Sequence, residues 1–444
     1  PIVKSIPSPK LQKGLMSKIF GHLHTLRKIK KQNNYSSLML SIFQKHIDFY
    51  EKTKSNTFKL RLYKSTLIIT RDKEFYSEIL GKKHEDFTNS NIFKIVFGYY
   101  FPNSILVVDG EQWQGIRKII TKAMSKTSYG LIVPSIMNNL HYALSAPDKI
   151  SPDNRSASNE NRTERAGIKE ASLANELSTI ELISRITFDA FHCLVYEWDP
   201  QTLKFNPDST KILRNCTKIT DAIGERTLYP TPILWKIPTK RNKEFDEAAK
   251  YLKNFAEEFL NEQKELFQTN KKEILAKNQR SLLQELLLAN EAEDNEKKRL
   301  SHDELVDQVC TLFFGAFDTT SSVLSFALNF LARNQDIQDK LREEVWRSFP
   351  NGEEGIIKGG INALEKIEYL KHFVEEVFRI RPLGGVVRSC IRDTEINGFS
   401  LKKGEVVLID NLAIGIKQDN WNFQTDLDQF KPERWEIYKP GSLE

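Results

Sequence analysis

Residues 309–332 read VCTLFFGAFDTTSSVLSFALNFLA. An acid and four hydroxyls (Asp318, Thr319, Thr320, Ser321 and Ser322) interrupt an otherwise apolar run. The run sits in a helix opened by a capping box, in which Ser301 caps and Glu304 reaches back. The helix is expected to extend to about Arg333, roughly 48 Å at 1.5 Å per residue. Apolar residues nearly all round its second half predict deep burial. A carboxylate in such surroundings is costly unless it is paired or bonded. Hydroxyls in mid-helix can bond back to the carbonyl four residues earlier and bend the axis. The stretch therefore predicts a locally opened helix with a polar notch facing a buried cavity. An acid beside an alcohol can relay protons there without flooding the site. A helix crossing packed through small polar residues is the alternative reading of the notch alone.

Outward from this helix, the 444 residues carry 40% apolar and 28% charged side chains, enough for a large core. The net charge of +6 is mild. Lys and Arg are spread along the chain rather than gathered in one patch, which argues against a nucleic-acid binder. A basic face for an acidic partner or an anionic membrane surface fits the excess. Cys193, Cys216, Cys310 and Cys390 lie too far apart for a metal knuckle or a redox pair, and point to a reducing compartment. No run of about 18 apolar residues is present, so no membrane-spanning helix is predicted. The chain begins with Pro1, and an anchor upstream of it is compatible with this reading.

Residues 57–70, TFKLRLYKSTLIIT, alternate and then run apolar, which predicts a hairpin. FYSEILG predicts a short helix closed by Gly81. GEQWQGIRKIITKAM predicts a helix with Gly110 just before it. Residues 143–175 are rich in Ser, Asn and charge, and predict a disordered insert in a surface loop. Helical patterns follow from about Asn175 to Glu291. DIQDKLREEVWRSF and LEKIEYLKHFVEEVFRI predict two further helices, and TEINGFSLKKGEVVLID predicts strand, Gly turn and strand. The segment DLDQFKPERWEIYKPGSLE reads as irregular. Helices dominate and the strands cluster, so the fold class is mainly α with a small β-sheet lobe (α+β), in one domain over 1–444.

Three weaker patterns accompany the notch. Glu376 and Arg379 stand at i, i+3 and can pair. Trp113 and Arg117 stand at i, i+4, where an indole N–H and a guanidinium can clamp an anion. FKPERW places Arg434 in a loop. Taken singly, each also fits a solvated face or an ordinary loop.

Their order is more specific than any one of them: Trp-x-x-x-Arg, then Gly-Ala-Phe-Asp-Thr-Thr, then Glu-Val-Phe-Arg-Ile-Arg-Pro, then Pro-Glu-Arg-Trp. In this order the chain resembles the cytochrome P450 family of haem-thiolate monooxygenases, over nearly its whole length. The resemblance implies a haem cofactor, dioxygen as co-substrate and electrons from NADPH through a flavoprotein reductase. It implies an apolar small-molecule substrate and a place on the cytoplasmic face of the endoplasmic reticulum membrane. Trp113 and Arg117 match the clamp on one haem propionate, and Arg388 is similar to the second propionate partner. Asp318 and Thr319 match the acid–alcohol pair that steers protons to dioxygen. Gly315 and Ala316 match the small residues that make room for it, in reversed order, which puts a methyl where the groove is tightest. Glu376, Arg379 and Arg434 match the buried charge triad, whose role is structural. The family's iron ligand is a Cys in a Gly-rich loop after the last motif. None of the four cysteines has that context, so the ligand is expected beyond Glu444 and the chain as it stands is expected to be inactive. A haem-thiolate isomerase or dehydratase, and a non-catalytic binding relative, are the other readings of the same resemblance.

Overall fold

A computed structural model describes residues 46–62, 65–89, 91–127, 130, 132–145, 179–228, 232–293, 299–315, 317–417, 421 and 427–437. The chain divides into two compact units, 1–93 with 371–444, and 94–370.

The first unit holds the strands. The predicted hairpin forms from β1 (Thr57–Leu62) and β2 (Ser65–Thr70), paired antiparallel with Phe58 opposite Ile69 and Leu60 opposite Leu67. β3 (Phe87–Asn89), β4 (Val386–Cys390) and β7 (Val406–Ile409) complete a five-stranded sheet in the order β1-β2-β7-β4-β3. Only β2 and β7 run parallel. Side chains alternate faces along β2, so the sheet separates two cores. Ile68 joins Phe75, Ile79, Phe87, Cys390 and Val407 on one side. Ile69 joins Phe49, Tyr50, Phe58, Leu60 and Ala413 on the other.

The stretch read as strand, turn and strand is three strands in two sheets. β5 (Thr394–Ile396) and β6 (Phe399–Leu401) form a separate hairpin, and β7 leaves for the larger sheet. The turn between β5 and β6 is Asn397-Gly398, both at positive φ (46° and 76°), the backbone a two-residue hairpin requires. Gly404, at φ 88°, makes the second reversal before β7. The Lys73–Leu80 helix does stop at Gly81, but at φ −111°. Space rather than handedness favours glycine there, because a Cβ would stand 2.8 Å from the Ser77 carbonyl oxygen.

The second unit is helical among its described residues. The Thr179–Tyr196 helix packs on Ile132–Ser145 and on Phe317–Arg333. Lys240–Thr269 packs on Pro207–Leu228 and on His302–Gly315, and Leu282–Glu291 packs on Gly110–Met124. Rings tie three of these helices together. His192 stacks on Phe313 with centroids 5.1 Å apart, while Tyr196 meets Phe259 at 5.1 Å. Burial pushes the His192 imidazole down to about 3, so it stands neutral, with Nδ1 2.6 Å from the Phe188 carbonyl.

Several boundaries differ from the sequence reading. The pattern from Leu364 is not one helix. Gly352–Leu364 ends there, and a new helix runs Glu368–Ile380, its entry held by the Tyr369 N–H on Glu344 at 3.1 Å. Residues 143–145 end the Ile132–Ser145 helix; the rest of the 143–175 insert lies outside the described residues. The deep burial expected for the second half of the long helix is not found. His302–Gly315 is the buried half, whereas Leu324, Phe326 and Leu328 are 41%, 44% and 46% exposed. Composition records aversion to water, not which faces meet a neighbour. By length and hydropathy 302–333 is apolar enough to cross a membrane, contrary to the sequence reading, yet it packs on helices of its own unit as a core helix does.

Candidate active site

Within the first unit, Glu376 is fully buried and accepts five hydrogen bonds. Arg379 binds it through two nitrogens, Nε to Oε2 and Nη2 to Oε1, each at 2.8 Å. Arg434 Nε adds a contact at 3.0 Å and the Lys431 backbone N–H one at 2.9 Å. The indole of Trp435 gives the fifth, at 2.9 Å. Burial raises the Glu376 carboxyl, but Arg379, the Lys431 N–H and Arg434 outweigh it and hold it below its usual value. Arg379 also donates to the carbonyls of Gly415 and Leu427 at 2.7 Å and of Gln429 at 3.1 Å. This approach needs Gly415, since a Cβ there would meet the Arg379 carbonyl oxygen at 2.2 Å. Arg434 opens a short helix, Arg434–Ile437, in the segment read as irregular. The structure thus brings Glu376, Arg379 and Arg434 together. Sequence reasoning missed Trp435, although it stands next to Arg434 in the quoted motif. Arg388, on β4, is half-buried, with Nη1 on the Val387 carbonyl at 3.0 Å. Burial lowers its guanidinium pKa.

Within the second unit, Trp113 and Arg117 share one face of Gly110–Met124, with the guanidinium 5.5 Å from the indole centroid. The helix starts on Gly110 at φ 58°, a left-handed residue that turns the chain into it. The notch residues bond as their spacing predicts. Thr319 Oγ1 donates to the Gly315 carbonyl at 2.8 Å, and Ser322 Oγ to that of Asp318 at 2.8 Å. Ser325 bonds back four residues in the same manner, whereas Ser321 Oγ reaches the Asp318 carbonyl three residues earlier, at 3.1 Å. Asp318 is half-buried; burial first, and then the Asp221 carboxylate, push its carboxyl up. The buried cavity expected around the notch is corrected on one side. Gly315 and Thr319 are exposed, and a Cβ built on Gly315 meets nothing within 4 Å. Ala316 lies outside the described residues.

Among the described residues no three His, Cys, Asp or Glu are grouped to hold a metal ion. All four cysteines are free, and burial pushes their thiols up.

A family model described as Cytochrome P450 matches residues 17–439. The chain belongs to the cytochrome P450 family. Cytochrome P450 3A6 of Oryctolagus cuniculus is 36% identical over 147 residues, 33% of this chain and 28% of that protein. Putative cytochrome P450 CYP13A5 of Caenorhabditis elegans is 34% identical over 141 residues, 31% of this chain and 26% of its own length. Cytochrome P450 3A1 of Rattus norvegicus is 34% identical over 157 residues, 35% of this chain and 30% of its own length. These matches span under a third of each relative's length.

Members of the cytochrome P450 family hold haem and use dioxygen with electrons delivered by a reductase. The residues present fit that group in kind. Trp113 and Arg117 offer an indole and a cation on one face for a carboxylate, and a Cβ on Gly315 would meet nothing within 4 Å.

Proposed function

We propose that the full-length protein is a haem-dependent monooxygenase that places one oxygen atom of dioxygen into an apolar small molecule. Residues 1–444 would form part of a single catalytic domain. NADPH would supply electrons through a flavoprotein reductase, at the cytoplasmic face of the endoplasmic reticulum membrane.

The observation that carries this reading is the acid and alcohol beside an open helix face. The Thr319 hydroxyl rests on the Gly315 carbonyl, and the neighbouring Asp318 carboxyl is raised by its surroundings. A carboxyl so placed holds its proton more readily than one in water, and the adjacent hydroxyl can both accept and pass one on. Haem, when bound, supplies the iron at which dioxygen is activated. Trp113 and Arg117 would hold one propionate and Arg388 the other. Gly315 and Ala316 would leave space for dioxygen. Glu376, Arg379 and Arg434 would fix the backbone at Gly415, Leu427, Gln429 and Lys431 and take no part in the chemistry. An isomerase or dehydratase of the same family has less need of an acid–alcohol pair.

The test is the full-length protein loaded with haem, with its reduced carbon monoxide spectrum recorded and NADPH use and oxygenated product then followed with reductase. A thiolate spectrum with reductase-dependent product is the expected result. A thiolate spectrum without any NADPH-dependent product would favour the isomerase class. A spectrum without thiolate character would overturn the haem-thiolate assignment.

A further inference from the structure

Glu304, Asp307, Gln308 and Thr311 stand at i, i+3, i+4 and i+7 of the His302–Gly315 helix, and so form one stripe. Each is tied to the segment 103–112. Gln112 Nε2 donates to Glu304 Oε1 at 2.9 Å. The Asn103 N–H donates to Asp307 Oδ2 at 2.8 Å. The Ile105 N–H donates to Gln308 Oε1 at 3.0 Å, and Gln308 Nε2 returns a bond to the Asn103 carbonyl at 2.7 Å. Thr311 Oγ1 donates to Ser104 Oγ at 2.7 Å. Ser104, Asp307, Gln308 and Thr311 are all buried. The stripe also faces Lys253, whose Nζ lies 3.8 Å from Asp307 Oδ1.

An apolar stripe would join a core helix to a loop at lower desolvation cost. What directional hydrogen bonds add is register: Gln308 Nε2 and Thr311 Oγ1 also lie on the carbonyls of Glu304 at 3.1 Å and Asp307 at 2.6 Å within the helix, which fixes their side chains, and a slip of one residue leaves buried polar groups unpaired. Both ends of this fastening lead to candidate site residues. The 103–112 segment runs directly into Trp113 and Arg117. The helix runs on from Thr311 to Gly315, and the next helix, Phe317–Arg333, begins with Asp318 and Thr319 in its first turn.

We propose that Glu304, Asp307, Gln308 and Thr311 are positioning residues that set the register of Trp113 and Arg117 against the Gly315–Thr319 notch, and through Arg117 govern how firmly haem is held. This rests on the propionate role proposed for Arg117.

The experiment uses the full-length holoenzyme and measures haem loss to an excess of a haem-scavenging protein, with the thermal midpoint as a second readout. Asp307→Ala is expected to speed haem loss about tenfold, equivalent to about 1.4 kcal/mol. Asp307→Asn, which keeps an acceptor for the Asn103 N–H, is expected to stay within about twofold of the parent. In an Arg117→Ala background the Asp307→Ala effect should shrink to about twofold or less, because coupled residues are not additive. A general loss of stability would instead leave the effect equal in both backgrounds, and that result overturns the proposal. If Arg117→Ala alone leaves haem loss unchanged, the propionate role falls and the proposal falls with it. Should Asp307→Ala not fold, Thr311→Val removes the hydroxyl that meets Ser104 Oγ and the Asp307 carbonyl, at constant shape, and is read in the same cycle.

Discussion

Trp435 Nε1 donates to Glu376 Oε2 at 2.9 Å, across 59 residues of chain. It completes the shell of a carboxylate that has no access to water. A buried charge is tolerated when its lone pairs are filled, and Arg379 alone would leave Glu376 under-bonded.

Trp435→Phe keeps most of the ring volume and removes that donor. Loss of a hydrogen bond to a charged group is expected to cost about 1.5–3 kcal/mol. Denaturant unfolding reads this as a lower midpoint with an unchanged slope. An unchanged midpoint would mean that the other four donors suffice.

Glu376→Ala and Arg379→Ala break the buried pair and are expected to cost about 3–5 kcal/mol. The resulting full-length protein should fail to retain haem. A stable, haem-loaded variant of either kind would remove the triad from any role in holding the fold.

Asp189 gives a pH signature. Burial pushes its carboxyl up from 3.8 to about 6, against the hydrogen bonds it accepts from Thr202, with Asp199 adding to the rise. Because the folded state binds this proton more tightly than the unfolded chain, its stabilising effect is complete below about 3.8. That effect is lost as pH rises to about 6. Asp189→Asn cannot titrate and keeps an acceptor for the Thr202 hydroxyl, which lies 2.7 Å from Oδ1. The variant should therefore gain on the parent protein between those two pH values. Unfolding curves at stepped pH that remain parallel would exclude Asp189 as the source.

Thr319→Ala is expected to uncouple the full-length enzyme, so that reductant is still consumed but more of it leaves as peroxide or water. Product formed per NADPH is the measurement, and an unchanged ratio would count against the relay. Asp318→Asn should lower kcat more than it raises KM.

Charge reversal on the Gly110–Met124 helix separates two lysines. Lys118 Nζ is held by Glu293 at 2.7 Å. If a reductase docks on this basic face, Lys122→Glu should slow first-electron transfer more than Lys118→Glu, and both effects should shrink as salt rises. Stopped-flow reduction that is insensitive to both charge and salt would place the docking face elsewhere.

Local patterns by themselves determined much of this protein. Alternation in TFKLRL gave the hairpin, because side chains on successive strand residues point to opposite faces. Ser301 and Glu304 gave the helix start, confirmed by reciprocal bonds at 3.2 and 2.9 Å, because a capping box involves only four consecutive residues. The spacing of Glu376 and Arg379 gave their pairing, and the order of the motifs gave the family. What the sequence could not show was decided by partners distant along the chain. The separation of β5 and β6 from β7 depends on which strand each edge meets. The exposed second half of the long helix depends on which faces find a neighbour. Trp435 on Glu376, and the segment 103–105 on Asp307, Gln308 and Thr311, are contacts between residues far apart in sequence. No periodicity records such contacts, because a hydrogen bond depends on where two groups stand in space and not on how many residues separate them.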